Sequence, residues 1–301
     1  MAEAWQGVFS AVTTKFTKEG ALDLKLTEKH YKFQIDAGVE GLVLLGSLGE
    51  NATLTTDEKQ EIAKLAVNVS HGRVPVLSSV AETTTAGACR FVEKASANGV
   101  DGFMVLPGML YLSDGRETMV HFRTVAEASD KPIMIYNNPV AYRVDITPEM
   151  FSELANEPKF VAIKESSGDP RRINDIRHLV GDRYQIFTGV DDLALESFVL
   201  GACGWVAGLV CAFPRESVAL FNLVKTGRLR EALELYRWFL PLLHLDTSIK
   251  FVQYIKLAET EVGVGTEYVR APRLTLVGEE RRTVLKIIRT ALKHRPRIPK
   301  T

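Results

Sequence analysis

Short runs that are apolar at nearly every position recur along the chain, separated by amphipathic stretches. They read GVFSAVTT from Gly7, GLVLLGS from Gly41, VPVLSSV from Val74, GFMVLPG from Gly102, PIMIYNNP from Pro132, FVAIKESS from Phe160, YQIFTGVDD from Tyr184 and GWVAGLV from Gly204. Continuous apolarity, in place of alternation, is what parallel strands covered on both faces require. The stretches between them carry a helical period: in TTDEKQEIAKLAVNVS, Ile62, Leu65 and Ala66 fall on one face. Eight such strand-helix units, each roughly 20 to 35 residues long, predict a (β/α)8 TIM barrel, because a doubly wound sheet needs fewer strands and a phosphate loop. After Pro214 the pattern is helical throughout, in ESVALFNLVKTG, REALELYRWFLPLLHL, SIKFVQYIKLAETEVG and ERRTVLKIIRTALKHR. The first of these helices completes the barrel, so the barrel is expected over 1–225 and a carboxy-terminal helical extension over 226–301.

Composition narrows the partners. Thirty-seven basic residues balance thirty-seven acidic ones, so no net field draws the chain to nucleic acid or an anionic membrane, and a small molecule is the expected partner. From Ser197 to Pro214 no charge appears, nearly enough for a membrane span. Gly201, Gly204, Gly208 and Pro214 instead divide this run into a helix end and a buried strand. The amino terminus has Glu3 and no base before Lys15, the opposite of a secretory leader. Cys89, Cys203 and Cys211 are odd in number and lack metal-type spacing, as expected of reduced thiols in a cytoplasmic protein.

In a barrel of this kind the carboxyl ends of the strands and the loops after them form the active face. The polar residues to weigh there are Ser47 and Glu50, Tyr136 and Asn137, Lys164 and Glu165, and Asp191 and Asp192. Lys164 follows FVAI, so its amine sits at the end of a buried strand, where burial lowers a lysine's pKa and a neutral amine can attack a carbonyl. The competing reading is an ion pair in the barrel mouth. Tyr136, one strand earlier, is placed to shuttle a proton beside a Schiff base, or else to pack with its hydroxyl satisfied.

The turn GSLGE, 46–50, raises a different chemistry, since it is one glycine short of the elbow that presents a nucleophilic serine. A serine nucleophile needs a histidine, and His30, His71, His121, His178, His244 and His294 all fall in predicted helices or at their ends. The turn therefore reads as an anion cradle of backbone N–H groups, with Glu50 bonding within it. Asp191 and Asp192 read as a capping or solvated pair, no metal site is apparent, and Gly263-Val264-Gly265 reads as a turn between helices.

Four motifs in order, GSLGE at 46–50, YNNP at 136–139, IKESSGD at 163–169 and TGVDD at 188–192, resemble those of the dihydrodipicolinate synthase and N-acetylneuraminate lyase superfamily. The resemblance spans essentially the whole chain. It implies a barrel with carboxy-terminal helices, usually a homotetramer, that forms a Schiff base between a lysine and a 2-oxo acid with no metal or other cofactor. By motif position Lys164 would be that lysine, Tyr136 the proton-transferring phenol, and Ser47 a carboxylate-binding and proton-relaying group. Leu48, Tyr111, Asn138 and Gly208 would complete the substrate site. Members that make dihydrodipicolinate carry two adjacent hydroxyl residues in the glycine turn, where this chain has Ser47 and Leu48. They carry an arginine two residues after the YNxP proline, where this chain has Ala141, with Arg143 two further on. Their paired tyrosines after the fourth strand correspond to Gly108 and Met109, with Tyr111 displaced by a short shift in spacing. This divergent pattern is more similar to the 1-pyrroline-4-hydroxy-2-carboxylate deaminases of hydroxyproline breakdown. Such an enzyme would take a pyrroline carboxylate and release ammonia and 2-oxoglutarate semialdehyde. An aldolase or dehydratase of a 2-keto-3-deoxy sugar acid, a dihydrodipicolinate synthase, and a silent ligand-binding member are the alternatives.

Overall fold

Each of the eight apolar runs forms a strand: β1 Gly7–Ala11, β2 Gly41–Leu44, β3 Val76–Val80, β4 Gly102–Val105, β5 Ile133–Asn137, β6 Phe160–Glu165, β7 Gln185–Thr188 and β8 Gly204–Ala207. The structure, a computed structural model, describes residues 5–108 and 110–298; Glu3 and Met109, both used above, lie outside the described residues. The strands pair in parallel in sequence order, and β8 returns to β1, so the sheet closes into a barrel. A helix follows each strand, as the amphipathic stretches require: Leu24–Asp36, Thr56–Ser70, Thr85–Ala97, Gly115–Glu127, Pro148–Leu154, Arg172–Val180, Ala194–Val199 and Pro214–Lys225. The helix at Thr56 starts on a capping box, in which the Thr55 side chain accepts from the amide of Glu58 and the Glu58 side chain accepts from that of Thr55.

Side-chain alternation divides the apolar residues into two cores. Ile133, Ile135 and Ile163 point outward to the helices, whereas Met134, Tyr136 and Ala162 point into the barrel with Phe9, Val43, Leu77, Met104, Phe187 and Val206. Phe9 and Phe187 meet edge to face, with ring centroids 5.1 Å apart, and plug the floor. Glycine makes the plug possible: a Cβ on Gly204 would come within 2.3 Å of the Phe187 ring, and one on Gly41 within 2.5 Å of Phe9. With the floor filled, the open end lies at the carboxyl ends of the strands, where Lys164 and Tyr136 stand in register on neighbouring strands.

The uncharged stretch from Ser197 to Pro214 is broken as its glycines suggest, into a helix end, β8, a 3-10 turn Leu209–Cys211 and a new helix. Among the described residues no helix is long and apolar enough to cross a membrane. Three further helices, Leu229–Leu243, Phe251–Glu261 and Gly278–Lys293, follow the barrel. The middle one sends charged side chains inward: Glu259 pairs with Lys15 at 2.6 Å and accepts from Thr13 Oγ1 at 2.7 Å, and Lys256 pairs with Glu50, all four ionic side chains being buried. These pairs hold the carboxy-terminal helices against the barrel mouth.

Candidate active site

A cavity of about 700 Å³ opens at the carboxyl ends of the strands. It is lined by Ser47, Leu48, Tyr136, Asn138, Lys164 and Gly208, so six of the seven site residues expected from the sequence come together. Tyr111 does not line it. Its side chain is 79% exposed, on the loop after β4. A different tyrosine, Tyr142, lines the cavity instead.

The GSLGE turn starts at Leu45 and ends at Glu50, both in the left-handed backbone region at φ 59° and 56°. Gly49 lies tight beneath it, since a Cβ there would come within 3.1 Å of the Leu45 backbone and 3.2 Å of the Val12 carbonyl oxygen. The amides of Glu50 and Asn51 close the turn on the carbonyls of Ser47 and Gly46. The amides of Ser47 and Leu48 donate to no acceptor among the described residues and are free to receive an anion from the cavity. Glu50 departs from the expectation that it bonds within the turn. Its carboxylate accepts from Lys256 and from the Arg270 amide, both in the carboxy-terminal region. A buried ammonium offers a carboxylate more than the local amides can.

Opposite the turn, Lys164 is buried with its Nζ 4.2 Å from the centre of the Tyr136 ring. Burial lowers its pKa, against the opposing pull of Tyr142, Asp246 and Asp191. Its ammonium forms no salt bridge within 4 Å among the described residues, which removes the simple ion-pair reading. Gly189, after β7, leaves room for it: a Cβ there would lie 2.4 Å from Lys164 Cε and 2.1 Å from Ser166 Oγ. Burial raises the pKa of Tyr136, whose hydroxyl accepts from Asn138 Nδ2 at 3.0 Å. Asn138 also caps the short helix Pro139–Tyr142 by accepting from the Ala141 amide at 2.9 Å. That helix carries Tyr142 to Ser47, with the two hydroxyl oxygens 2.6 Å apart and the Tyr142 ring edge-on to Tyr136 at 5.6 Å. Ser47, Tyr142 and Tyr136 thus form a line of three hydroxyl groups running from the anion cradle to the lysine.

The remaining polar residues divide between scaffold and cavity. Asn137 donates to Glu165 at 3.0 Å and accepts from the Ile146 amide at 2.9 Å, fixing the loop after β5 from behind. Asp191 is a buried cap, as one of its sequence readings holds: it accepts from Trp205 Nε1 and from the amides of Gly208 and Leu209, and burial raises its pKa to about 6. Asp192 accepts from His244 at 2.8 Å if that nitrogen is protonated. His30, Cys211 and Glu259 approach one another closely enough to hold a metal ion. The Lys15 ammonium already balances Glu259, and burial pushes the Cys211 thiol up to about 12, so the cluster favours protons over a cation. Tyr142 and Asp246 line the cavity from outside every motif, and Ser166 and Gly189 line it from within motifs that gave them no role.

The model of the dihydrodipicolinate synthetase family matches residues 4–291. The chain belongs to that family. A 4-hydroxy-tetrahydrodipicolinate synthase of Leptospira biflexa is 34% identical over 238 residues, which cover 79% of this chain and 80% of the relative. Dihydrodipicolinate synthase DapA-2 of Bacillus anthracis superposes with a TM-score of 0.91 at 27% identity, covering 95% of this chain and 98% of the other. A prophage protein of the family from E. coli K12, YagE, whose structure is a complex with pyruvate, superposes at 0.90 with 25% identity, covering 96% and 99%. Dihydrodipicolinate synthetase family members are class I lyases that form a lysine Schiff base, and this chain is an enzyme of that class.

Proposed function

We propose that this family member is a 1-pyrroline-4-hydroxy-2-carboxylate deaminase with Lys164 as its Schiff-base lysine. The observation that carries the reading is the charge of the cavity wall. Among the described residues that line it, Lys164 is the one cation, and it is committed to the reacting carbon. The Ser47 and Leu48 amides can take one carboxylate. A condensation that brings in a second carboxylate-bearing substrate would need a second cationic receptor, and the cavity lining offers none among the described residues, with Asp192 adding a charge of the wrong sign. Ala141, where dihydrodipicolinate-forming members carry arginine, supports the same reading.

The steps follow from the groups present. The substrate carboxylate sits on the Ser47–Leu48 amides, and neutral Lys164 adds to C2 of the ring C=N bond. Protons move along Ser47, Tyr142 and Tyr136 to the ring nitrogen, the C2–N bond breaks, and a Lys164 iminium remains on an open chain. Tyr136 removes a proton from C3, since the iminium acidifies that carbon, and the C4 hydroxyl leaves. Tautomerisation places an imine at C5; water releases ammonia there, and a second water frees 2-oxoglutarate semialdehyde from Lys164. One net water is consumed. The homotetramer that the family resemblance implies belongs to the same proposal, and the exposed Leu110, Tyr111 and Leu112 offer an apolar surface for it.

Incubation with the hydroxypyrroline carboxylate should release one ammonia per semialdehyde formed. Borohydride reduction in the presence of pyruvate should leave an adduct on the Lys164 peptide. Absence of ammonia, with turnover of pyruvate and aspartate semialdehyde, would favour the synthase reading that the name of the Leptospira biflexa relative suggests. An unmodified Lys164 would leave a ligand-binding protein.

A further inference from the structure

Asp246 belongs to none of the motifs, yet it lines the cavity from the segment that follows the Leu229–Leu243 helix. Its Oδ1 occupies the space directly above Gly208, where a Cβ would come within 2.1 Å of it. Gly208 has an ordinary backbone conformation (φ −92°), so the carboxyl, and not a turn, requires glycine there. No side chain or amide among the described residues donates to the Asp246 carboxyl. Asp191, its acidic neighbour, has three donors and is spent as a cap. The half-buried Asp246 therefore differs from the buried carboxylates among the described residues, since its hydrogen-bonding capacity is left to the cavity it lines.

With the substrate carboxylate on the β2 turn and C2 on Lys164 of β6, Tyr136 stands on the β5 side of the chain. The rest of the substrate then extends along the wall formed by Gly189, Val206, Gly208 and Asp246. We propose that Asp246 is a further catalytic residue, the acid that protonates the departing C4 hydroxyl. The inference rests on the deaminase reading, because only a substrate with a leaving hydroxyl needs such a group. In the step, the nitrogen lone pair of the Lys164 enamine re-forms the C2=N bond and the C2=C3 pair becomes C3=C4. The C4–O bond breaks with its electrons on oxygen, and the Asp246 proton joins it to give water. The Asp246 carboxylate left behind takes a proton from C5 in the tautomerisation, which restores the acid. Burial and the nearby Asp191 hold its pKa well above the usual carboxylate range, against the opposing Lys164, which favours the protonated form that the step uses.

The test uses the full-length protein and a 4-fluoro analogue of the pyrroline carboxylate, whose fluoride leaves without a proton. Asp246→Asn should form the pyruvate adduct on Lys164 as wild type does, lose about 100-fold or more in ammonia release from the hydroxy substrate, and recover near-wild-type rates on the fluoro analogue. Asp246→Glu, which keeps a carboxyl on this wall, should restore part of the ammonia release from the hydroxy substrate and guards against a folding defect in the first variant. Equal loss on both substrates, unchanged turnover of the hydroxy substrate, or loss of the pyruvate adduct would overturn the assignment. A wild-type enzyme that releases no ammonia would instead overturn the deaminase reading itself.

Discussion

Single atoms decide whether the cavity works. Gly189 is one hydrogen away from closing it, since a methyl group there meets Lys164 Cε at 2.4 Å and Ser166 Oγ at 2.1 Å. Gly189→Ala should keep the circular dichroism spectrum of the barrel at a cost of about 1–3 kcal/mol in unfolding free energy and abolish most of the borohydride-trapped pyruvate adduct. Undiminished trapping would show that the lysine does not use this space. Tyr142 permits a cleaner comparison, because Tyr111 is the tyrosine that the motif spacing offers and the structure leaves it 79% exposed. Tyr142→Phe removes only the hydroxyl 2.6 Å from Ser47 and should lower kcat about 100-fold with little change in KM, whereas Tyr111→Phe should leave both near wild type in steady-state assays. Lys164 and Tyr136 were legible because each ends a buried apolar run. Tyr142 was not: it stands between Ala141 and Arg143, and only the turn of a four-residue helix capped by Asn138 shows that it points into the mouth.

At the scale of elements, local pattern and long-range pairing separate. The eight strands and the helices between them follow from apolar runs and helical periodicity, because each element shows its core-facing pattern within its own few residues, although the two cores gather side chains from the whole chain. What holds the Phe251–Glu261 helix over the mouth follows from no local pattern. Glu50 meets a lysine 206 residues away, and nothing in GSLGE announces it. Glu50→Gln leaves the Lys256 ammonium buried without its partner, with its pKa already lowered to about 8 by burial, and should cost roughly 3–5 kcal/mol in denaturant-induced unfolding. Lys256→Met should cost a comparable amount. Combining the two removes both charges, so the double variant should be more stable than the sum of the single losses allows. Additive losses would mean that the pair contributes nothing as a pair.

For the whole molecule, the second buried ionic cluster ties the start of the barrel to its carboxy-terminal helices and makes the fold sensitive to acid. His30 is fully buried; its Nε2 donates to the Cys211 carbonyl at 3.0 Å, and its Nδ1 has no partner among the described residues. A proton on Nδ1 would be buried unsatisfied beside the Lys15 ammonium, so burial first and Lys15 second depress the pKa from 6.5 to about 4. The unfolded chain therefore binds a proton between pH 6.5 and 4 that the folded chain refuses, and the stability contributed by neutral His30 is lost as pH falls through that window. A depression of this size corresponds to about 3 kcal/mol. Glu259 acts in the same direction at lower pH: burial would raise its pKa, but Lys15 and His30 outweigh burial and lower it, so acid also removes the stability of its charged form. His30→Gln keeps an amide that can donate to the Cys211 carbonyl but cannot titrate. Its unfolding free energy should run parallel to wild type above pH 7, and wild type should lose about 3 kcal/mol relative to it between pH 7 and pH 4. Parallel curves across the whole range would place the acid sensitivity elsewhere. Since the Asp246 segment lies between the Leu229–Leu243 helix and the helix that carries Glu259, loosening of this cluster should reach the cavity wall before the barrel strands part.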